Sequence, residues 1–268
     1  MSVSFRVDGR DVEVAEDGAS LLEVLRDRLA VRSPKDGCSP QGQCGCCTVL
    51  VDGQPRVACV TPLRRVAGRH VTTLDGLDEA RRGAWVDAFC ATGASQCGFC
   101  TPGIIVRLAA MGVPGGLDPA AVEQALVAHL CRCTGWRAIV EAATRPVPTA
   151  PTAPSVSRRD LVAAARRATL EGGAAQQVGS SAALGAAGFA DDTAPLDALV
   201  AVPDGRGGFA VGETLAEARA RAGKVQGRRS GGALTHPLEV PDGPWDRTLR
   251  TTWLEPAYLE PDASWCGP

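Results

Sequence analysis

Eleven cysteines make thiolate chemistry the first possibility to weigh in this chain of 268 residues. Ten of them lie in the first half of the chain, in two groups, and Cys266 stands alone near the end. The N-terminus alternates apolar and polar residues, so we interpret it as a strand and not as a secretory signal. In a reducing compartment, clustered thiols bind metal more often than they form disulfides. The cysteines therefore predict metal centres.

The first group has nearly the spacing of a plant-type [2Fe–2S] loop, which is C-x4-C-x2-C followed by a distant cysteine. The matching residues give C-x5-C-x2-C-x11-C and are Cys38, Cys44, Cys47 and Cys59. We favour Cys47 over the spare Cys46 as a ligand because Cys47 keeps the x2 spacing. Glycines in this loop would let backbone amides approach the cluster's sulfurs. A structural zinc site is the alternative, since zinc also accepts four thiolates.

The second group has the spacing C-x2-C-x30-C-x-C and consists of Cys97, Cys100, Cys131 and Cys133. Both halves adjoin predicted helix ends, so four thiolates could meet between helix termini. Backbone amides at residues 101–103, where a helix starts, would favour the negative charge of a cluster. By spacing alone, zinc remains an alternative here as well. We interpret Cys90, which belongs to neither set of four, as a buried core thiol.

The elements before residue 78 predict a small mixed sheet that encloses one helix. Alternating segments flank Asp8-Gly9 and Asp52-Gly53, which is the pattern of β-hairpins. Ser20 precedes apolar residues at helical spacing and is the expected N-cap of an amphipathic helix. The predicted segments are strands at 3–7, 11–15, 48–51, 56–60 and 70–74, and a helix at 20–29.

Helical periodicity replaces this pattern from about residue 79. The predicted helices cover 79–91, 102–111, 119–130 and 136–144 and would form a compact bundle. Thr101 and Asp118 each precede a proline, as expected of an N-cap followed by proline at the first helical position. The stretch Pro146–Pro154 then predicts an extended, proline-rich linker between domains.

The rest of the chain carries weaker signals. Residues 157–170 have the pattern of an arginine-rich amphipathic helix, and residues 174–188 are rich in Ala, Gly and Ser. Short apolar runs follow at Ala198–Val202 and Gly208–Gly212, and then a helix at 213–223. We expect a loosely ordered α/β extension and assign the whole chain to the α+β class.

The motifs around the second cysteine group resemble those of a known family. They are Gln-Cys-Gly-Phe-Cys-Thr-Pro-Gly at 96–103 and Cys-Arg-Cys-Thr-Gly-Trp at 131–136. With the plant-type loop before them, residues 1–145 resemble the iron–sulfur subunit of the molybdenum hydroxylases, the family of xanthine dehydrogenase, aldehyde oxidoreductase and carbon monoxide dehydrogenase. The resemblance implies a β-grasp plant-type ferredoxin domain at 1–77 and a four-helix domain at 78–145, each with one [2Fe–2S] cluster. A linker at 146–156 and an extension at 157–268 remain.

Carried over residue by residue, the resemblance assigns each cysteine group to one cluster. The outer cluster would take Cys38, Cys44, Cys47 and Cys59, and the inner cluster Cys97, Cys100, Cys131 and Cys133. Gln96 and Cys133 would touch a molybdopterin cofactor that a partner chain holds. FAD would lie on another subunit, since no Gly-x-Gly-x-x-Gly occurs in this sequence. The chain departs from the family in its longer first gap, in Cys46, where Ala is usual, and in His129, where Asn is common.

We therefore expect the electron-transfer subunit of a molybdenum hydroxylase, which relays electrons from molybdopterin through two [2Fe–2S] clusters towards FAD or another acceptor. A purine, an aldehyde, an N-heterocycle and carbon monoxide all remain open as substrates of the complex. Phe189-Ala-Asp-Asp-Thr-Ala-Pro-Leu weakly resembles the start of the molybdenum subunit. By that resemblance the extension would be a hammerhead-like fragment that docks onto the molybdenum subunit. The alternative is a lineage-specific tail that clamps a partner.

Two other functions stay open, a stand-alone ferredoxin-like electron carrier and a zinc-stabilised interaction module. The net charge of −2 gives no electrostatic footprint for nucleic acid. No apolar run approaches about 18 residues, so we expect no transmembrane segment and a cytoplasmic location. The histidines, His70, His129 and His236, show no ligand-like grouping, and we interpret them as structural or surface residues.

Overall fold

The computed structural model describes residues 2–38, 40–146 and 179–223, together with Arg166 and Leu170. Most of the predicted linker and of the arginine-rich helix, as well as His236 and Cys266, lie outside the described residues. Contacts along the backbone divide the chain into two units, with a boundary after Leu196. No helix in the described ranges is both long enough and apolar enough to cross a membrane.

Five strands of the first unit form a mixed sheet in the order β2-β1-β5-β3-β4. They are β1 (Ser2–Val7), β2 (Arg10–Ala15), β3 (Thr48–Val51), β4 (Gln54–Val57) and β5 (His70–Thr72). Strands β1 and β5 are parallel, and the other neighbours are antiparallel. Both predicted hairpins are confirmed, and Asp8-Gly9 and Asp52-Gly53 adopt the positive φ angles that a two-residue turn of type I′ requires.

Two strand predictions are wrong at their ends. Ala58–Val60 form a 3-10 helix and not the end of a strand, so β4 is shorter than predicted. Strand β5 also stops early, because the Thr73 amide donates to the Asp8 carboxylate at 2.8 Å instead of extending the ladder. Another 3-10 helix, Leu63–Val66, precedes β5.

One helix packs on this sheet. It begins as α1 (Leu21–Glu23) and continues as a π-helical turn, Val24–Arg28. The Ser20 hydroxyl accepts from the Glu23 amide at 3.3 Å, and the Glu23 carboxylate accepts from the Ser20 amide at 3.1 Å. The predicted N-cap is therefore confirmed as a capping box. The buried leucines of the helix share one core with the inward-facing residues of β1.

Four helices follow the sheet and pack around a second core. They are α2 (Glu79–Thr92), α3 (Thr101–Ala109), α4 (Pro119–Ala125) and α5 (Trp136–Thr144). Trp85, Phe89 and Leu108 are among the fully buried side chains of this core. The Asp118 carboxylate accepts from the Ala121 amide at 2.9 Å, which confirms the predicted cap of α4.

Two of these helices have ends that differ from the prediction. Helix α3 begins one residue early, so Cys100 and not Thr101 is its N-cap. Helix α4 ends at Ala125 and not at residue 130. The Leu130 amide instead donates to the carbonyl of Cys44 at 2.9 Å. A bond to a distant residue thus replaces the helical one.

The described residues after 178 form short elements. The helices α6 (Ser180–Ala183) and α7 (Ala190–Thr193) belong to the first unit. The second unit contains the antiparallel strands β6 (Val200–Pro203) and β7 (Phe209–Gly212) and the helix α8 (Leu215–Ala222). These strands and α8 lie where the apolar runs and the last helix were predicted. Together with the first unit they make the protein a mixed α/β structure.

Candidate metal centres

The first cysteine group lies in the loop before β3 and in the 3-10 helix after β4. Its buried members are Cys44, Cys46, Cys47 and Cys59, and Cys38 is partly exposed. The sulfur of Cys44 is in hydrogen-bonding contact with the thiols of Cys46 and Cys38. The sulfur of Cys47 makes the same kind of contact with that of Cys59. The four predicted ligands thus approach as two pairs, and Cys46 adjoins the first pair.

Backbone amides point at these sulfurs, as the glycine-rich loop predicted. The Gln41 amide donates to Cys38 Sγ at 3.2 Å, and the Cys59 amide donates to Cys47 Sγ at 3.4 Å. The Gly42 amide donates to the sulfur of Cys59. Gly42 has φ +68°, a conformation that glycine adopts without strain. These donors stabilise negative charge on the thiols of the loop.

The hydrogen bond between Cys44 and Cys46 drives the pKa values of the two thiols apart. It contributes most to lowering the pKa of Cys44 to about 6. The same bond, together with burial away from water, raises the pKa of Cys46 well above its ordinary value.

The second cysteine group joins the loop before α3 to the loop before α5. Cys97 Sγ and Cys133 Sγ lie 3.5 Å apart, and the sulfur of Cys100 contacts that of Cys131. The Thr134 amide donates to Cys131 Sγ at 3.4 Å, and the Thr134 hydroxyl lies 2.9 Å from the same sulfur. Contacts with the thiols of Cys100 and Cys133, and then with Thr134, lower the pKa of Cys131.

Each cysteine group supplies the four thiols that a [2Fe–2S] cluster needs as ligands. Each of the two irons in such a cluster takes two thiolates, and four predicted ligands approach one another in each group, as two pairs in the first and as one connected set in the second. In the described part of the chain, no group of three or more His, Cys, Asp or Glu side chains is placed to hold a single metal ion. Paired sulfurs with amide donors around them are the surroundings that an iron–sulfur cluster needs.

A direct hydrogen bond joins the loops that carry the two groups. The Leu130 amide, next to Cys131, donates to the carbonyl of Cys44 at 2.9 Å. Gly45 and Gly103 let the two backbones come together beside this bond. A Cβ on Gly103 would lie 2.3 Å from the Gly45 carbonyl oxygen, so no larger residue fits there. The two cysteine groups are therefore neighbours.

His129 occupies the same junction. Its ring Nε2 lies 3.2 Å from the hydroxyl of Thr48, which also donates to the Gly45 carbonyl at 2.8 Å. Burial, and then the charge of Arg107, lowers the pKa of His129 to about 4. The ring is therefore neutral at pH 7 and packs against the loop. This agrees with its interpretation as a structural residue.

The second group reaches the surface at one end. Gln96 and Cys97 are exposed, and Cys133 is half-buried. The two residues predicted to meet a partner's cofactor, Gln96 and Cys133, are thus open to solvent in this chain. Cys90 is exposed as well, so its interpretation as a buried core thiol is wrong.

Sequence reasoning missed a set of buried charges beside the cysteine loops. Arg26 and Lys35 are only 3% and 1% exposed. Asp192 pairs with both, accepting from the guanidinium of Arg26 at 2.9 Å and from the ammonium of Lys35. The Lys35 ammonium also donates to the carbonyls of Arg32 and Gly185, each at 2.8 Å. Burial lowers the pKa of Lys35, and Asp192 opposes this shift.

These charges tie residues 180–193, which we name the docking segment, to Arg26 and Lys35, and the segment also packs against the loop of the second cysteine group. The rings of Phe189 and Phe99 meet edge to face, with centroids 5.1 Å apart. A Cβ on Gly98 would lie 1.9 Å from the Ala182 carbonyl oxygen, so the two backbones are in direct contact. The docking segment therefore covers part of this loop. The motif that starts at Phe189, which weakly resembles the start of a molybdenum subunit, was the sequence signal within this segment.

Comparisons with known proteins identify iron–sulfur relatives of this chain. Residues 73–144 match the family described as [2Fe-2S] binding domain. A nicotinate dehydrogenase subunit of Pseudomonas putida is 39% identical over 148 residues, which cover 54% of this chain and 93% of that subunit. A probable xanthine dehydrogenase subunit of Bacillus subtilis is 36% identical over 144 residues, which cover 52% of this chain and 81% of that subunit.

A solved structure shows the same likeness. The crystal structure of the aldehyde oxidoreductase from Desulfovibrio desulfuricans superposes with a TM-score of 0.57 and 26% identity. The match covers 76% of this chain and 23% of that one. Paired thiols and a [2Fe-2S] binding domain define an iron–sulfur protein. The chain belongs to the family of iron–sulfur subunits of the molybdenum hydroxylases, and its role in such an oxidoreductase is electron transfer.

Proposed function

We propose that this subunit passes single electrons from a molybdopterin centre on a partner chain towards FAD, or another acceptor, on a further subunit. The ligands would be Cys38, Cys44, Cys47 and Cys59 for an outer [2Fe–2S] cluster and Cys97, Cys100, Cys131 and Cys133 for an inner one. When bound, each cluster supplies one-electron redox chemistry. The catalytic molybdenum site would lie on the partner, which is the large subunit of the complex.

The hydrogen bond from the Leu130 amide to the Cys44 carbonyl carries this proposal. It joins the residue before one inner ligand directly to an outer ligand. An electron moving between the two thiol groups would therefore cross bonded protein atoms and no solvent gap. Two structural metal sites would have no need of such a junction.

The surroundings of the ligands support the same role. The amides of Gln41, Cys59 and Thr134 donate to ligand sulfurs and would stabilise the charge gained on reduction. Water is kept from most of the outer set by burial. The open end at Gln96 and Cys133 would face the molybdopterin of the partner.

The fold supports a matching division into domains. Strands β1–β5 with α1 would form a β-grasp ferredoxin domain at 1–77, and α2–α5 a four-helix domain at 78–145. After a linker at 146–156, the extension at 157–268 would be a hammerhead-like fragment that contacts the molybdenum subunit. In support, the likeness to the aldehyde oxidoreductase structure covers 76% of the chain, against 54% for the nicotinate dehydrogenase subunit.

The substrate of the complex would be one of the compounds that the relatives are named for, or a compound of the same chemical class. The relatives' names point to nicotinate, xanthine and aldehydes. N-heterocycles, purines and aldehydes are therefore the first substrates to test, in a complex that we place in the cytoplasm. Carbon monoxide is a further one.

Analysis of iron and acid-labile sulfide, with low-temperature EPR of the dithionite-reduced chain, tests the proposal. We expect about four irons and four sulfides per chain, since each [2Fe–2S] cluster holds two of each, and two distinct signals. Half of that content with a single signal would mean that one cysteine group holds no cluster. Zinc without sulfide would overturn the electron-transfer function of both groups. Two signals without a co-purifying molybdenum subunit would favour a stand-alone electron carrier.

A further inference from the structure

The ring of Phe99 lies beside the first cysteine group, although Phe99 belongs to the loop of the second. Phe99 stands between Cys97 and Cys100 in the sequence and is only 4% exposed. A Cβ on Gly37 would lie 3.2 Å from the Phe99 ring and 3.1 Å from Cys44 Sγ. A residue of the inner loop therefore fills space next to the sulfur of a proposed outer ligand.

Phe189 of the docking segment packs on this ring. The rings of Phe189 and Phe99 are perpendicular, and their centroids are 5.1 Å apart. The Lys35 ammonium lies 5.6 Å from the centroid of the Phe189 ring, which is a cation–π contact. Phe189 also packs against the core that contains Phe99 and Cys44. The Phe189 ring is thus fixed by contacts with Phe99 and with a buried cation.

The backbone of the docking segment closes on the same loop at two further points. A Cβ on Gly98 would lie 1.9 Å from the Ala182 carbonyl oxygen, and a Cβ on Gly185 would lie 2.6 Å from Pro102 Cγ. Ala182 itself is 1% exposed. At these points the segment and the loop are too close for water to lie between them.

We propose that Phe189 is a positioning residue that holds the Phe99 ring beside Cys44 and thereby keeps water away from the outer cluster. The inference rests on the proposed function. It gives the docking segment a task on this chain itself, which is to set the reduction potential of the outer cluster.

The direction of the effect follows from charge. Reduction adds one negative charge to a cluster and its thiolates, and water stabilises the more negative state. An apolar shell that excludes water therefore lowers the reduction potential of the cluster. Loss of the Phe189 ring would let the Phe99 ring move, admit water beside Cys44 and raise this potential. The shielded outer cluster would be the stronger donor of electrons to the acceptor.

Redox titration of the iron-loaded full chain tests the inference, with EPR of the outer signal, which is the one that Cys59→Ser abolishes. We expect Phe189→Ala to raise the ratio of reduced to oxidised outer cluster about threefold at a fixed potential. That corresponds to about 28 mV, at about 59 mV per tenfold for a one-electron couple. Pulsed EPR in D2O should show stronger coupling of deuterons to the reduced outer cluster in this variant.

Two further variants complete the experiment. Phe189→Leu keeps part of the apolar cover on Phe99 and should shift the potential in the same direction by a smaller amount. Phe209→Ala removes a ring that is 70% exposed and should leave the potential and the deuteron coupling unchanged. If Phe189→Ala does not hold the outer cluster, Phe189→Leu decides, and an unchanged potential in that variant would overturn the inference.

Amide hydrogen exchange of residues 180–193 distinguishes a water shield from a simple anchor. Faster exchange in Phe189→Ala with an unchanged potential and unchanged deuteron coupling would overturn the inference, because Phe189 would then only attach the segment. Equal shifts in Phe189→Ala and Phe209→Ala would overturn it as well. Absence of both EPR signals in the original chain would instead refute the proposed function itself.

Discussion

Gly45 sits where the loops of the two cysteine groups touch, and its missing side chain makes that contact possible. Its φ is +71°, and a Cβ there would lie 2.4 Å from His129 Cδ2 and 2.9 Å from the Ala128 carbonyl oxygen. We expect Gly45→Ala to destabilise the chain by at least about 2 kcal/mol, from the left-handed backbone and the clash together. The midpoint of thermal unfolding measures the loss.

Gly53 provides the control for this change. It has a similar φ of +77°, but no atom lies within 4 Å of the point where its Cβ would be. Gly53→Ala should therefore lose only the stability that the left-handed backbone costs an alanine, about 1 kcal/mol. Equal losses in the two variants would mean that the loops do not meet at Gly45.

Asp8 gives the first hairpin a pH dependence. Its carboxylate accepts from the Thr73 amide and from the Thr73 hydroxyl, each at 2.8 Å. Burial nevertheless raises the pKa of Asp8 above its ordinary value, against the opposing effect of Thr73. Because the folded pKa is then higher than the unfolded one, this group's contribution to stability is full at low pH. It is lost as the pH rises through the folded pKa.

Asp8→Asn should remove the loss of stability that Asp8 causes at higher pH. It should keep the turn, since Asn also tolerates a positive φ. We expect the variant to be at least as stable as the original chain at pH 7, with an advantage that shrinks as the pH falls. Urea unfolding from about pH 3.5 to about pH 7 measures it, because this range starts below the ordinary pKa of Asp, about 3.9. Asp52→Asn changes the exposed residue at the same position of the other hairpin. A pH profile shared by both variants would contradict the role given to burial.

The cysteine spacing was enough to predict which thiols come together, because chemistry fixes the ligand pattern. The ends of the elements around them were not predictable in the same way. Helix α4 stops at Ala125, and the Leu130 amide beyond it bonds to Cys44, far away in sequence. The spacing of apolar residues in a helix carries no information about a hydrogen-bond partner that is distant in sequence. The 3-10 helix at Ala58–Val60 likewise ends a strand that alternation alone would continue.

The docking segment depends on one carboxylate that neutralises two buried cations. Asp192 is 10% exposed and pairs with both Arg26 and Lys35. Removing its charge takes the paired carboxylate away from Lys35 and leaves Arg26 with Asp191, and breaking a buried pair costs about 3–5 kcal/mol. We expect Asp192→Asn to release residues 180–193, seen as faster amide hydrogen exchange there, with slower exchange kept in the sheet.

Asp191→Asn is the matched control at the neighbouring position. The Asp191 side chain is 45% exposed and pairs with Arg26 alone, so its loss should change exchange in the docking segment far less. Identical exchange in both variants would show that apolar contacts, such as Phe189 with Phe99, hold the segment by themselves. The contact spans 157 positions between Lys35 and Asp192, which is why no local pattern predicted it.

Across the whole molecule, the structural likeness covers more of the chain than the matches to the two iron–sulfur relatives do. Matches to the relatives' iron–sulfur subunits cover 54% and 52% of the chain. The likeness to the aldehyde oxidoreductase structure covers 76%. From sequence, the [2Fe-2S] binding domain and the family of iron–sulfur subunits were predictable, because the motifs of residues 96–103 and 131–136 are specific. How the docking segment attaches was not, since its contacts are buried ion pairs and ring packing.

The contact between the two cysteine groups has a consequence for the iron-loaded chain as a whole. Each reduced [2Fe–2S] cluster carries one unpaired spin, and two spins held close together broaden or split each other's EPR signals. The hydrogen bond from the Leu130 amide to the Cys44 carbonyl joins the residue before the inner ligand Cys131 directly to the outer ligand Cys44. We expect this interaction in the fully reduced chain at low temperature. We also expect its loss in Cys97→Ser, which would remove the inner signal and leave the outer one narrow.

Cys59→Ser should give the reciprocal result, a narrow inner signal and no outer one, because Cys59 belongs to the other set. Cys90→Ser, at an exposed thiol outside both sets, should keep two interacting signals. Signals that are narrow in the original chain would mean that the clusters are far apart, against the contact at Leu130. Loss of both signals in either ligand variant would mean that the two sites fold as one.

In the assembled complex, Cys97→Ser should also stop electrons from the substrate reaching FAD, and normal turnover there would refute the proposed order of transfer.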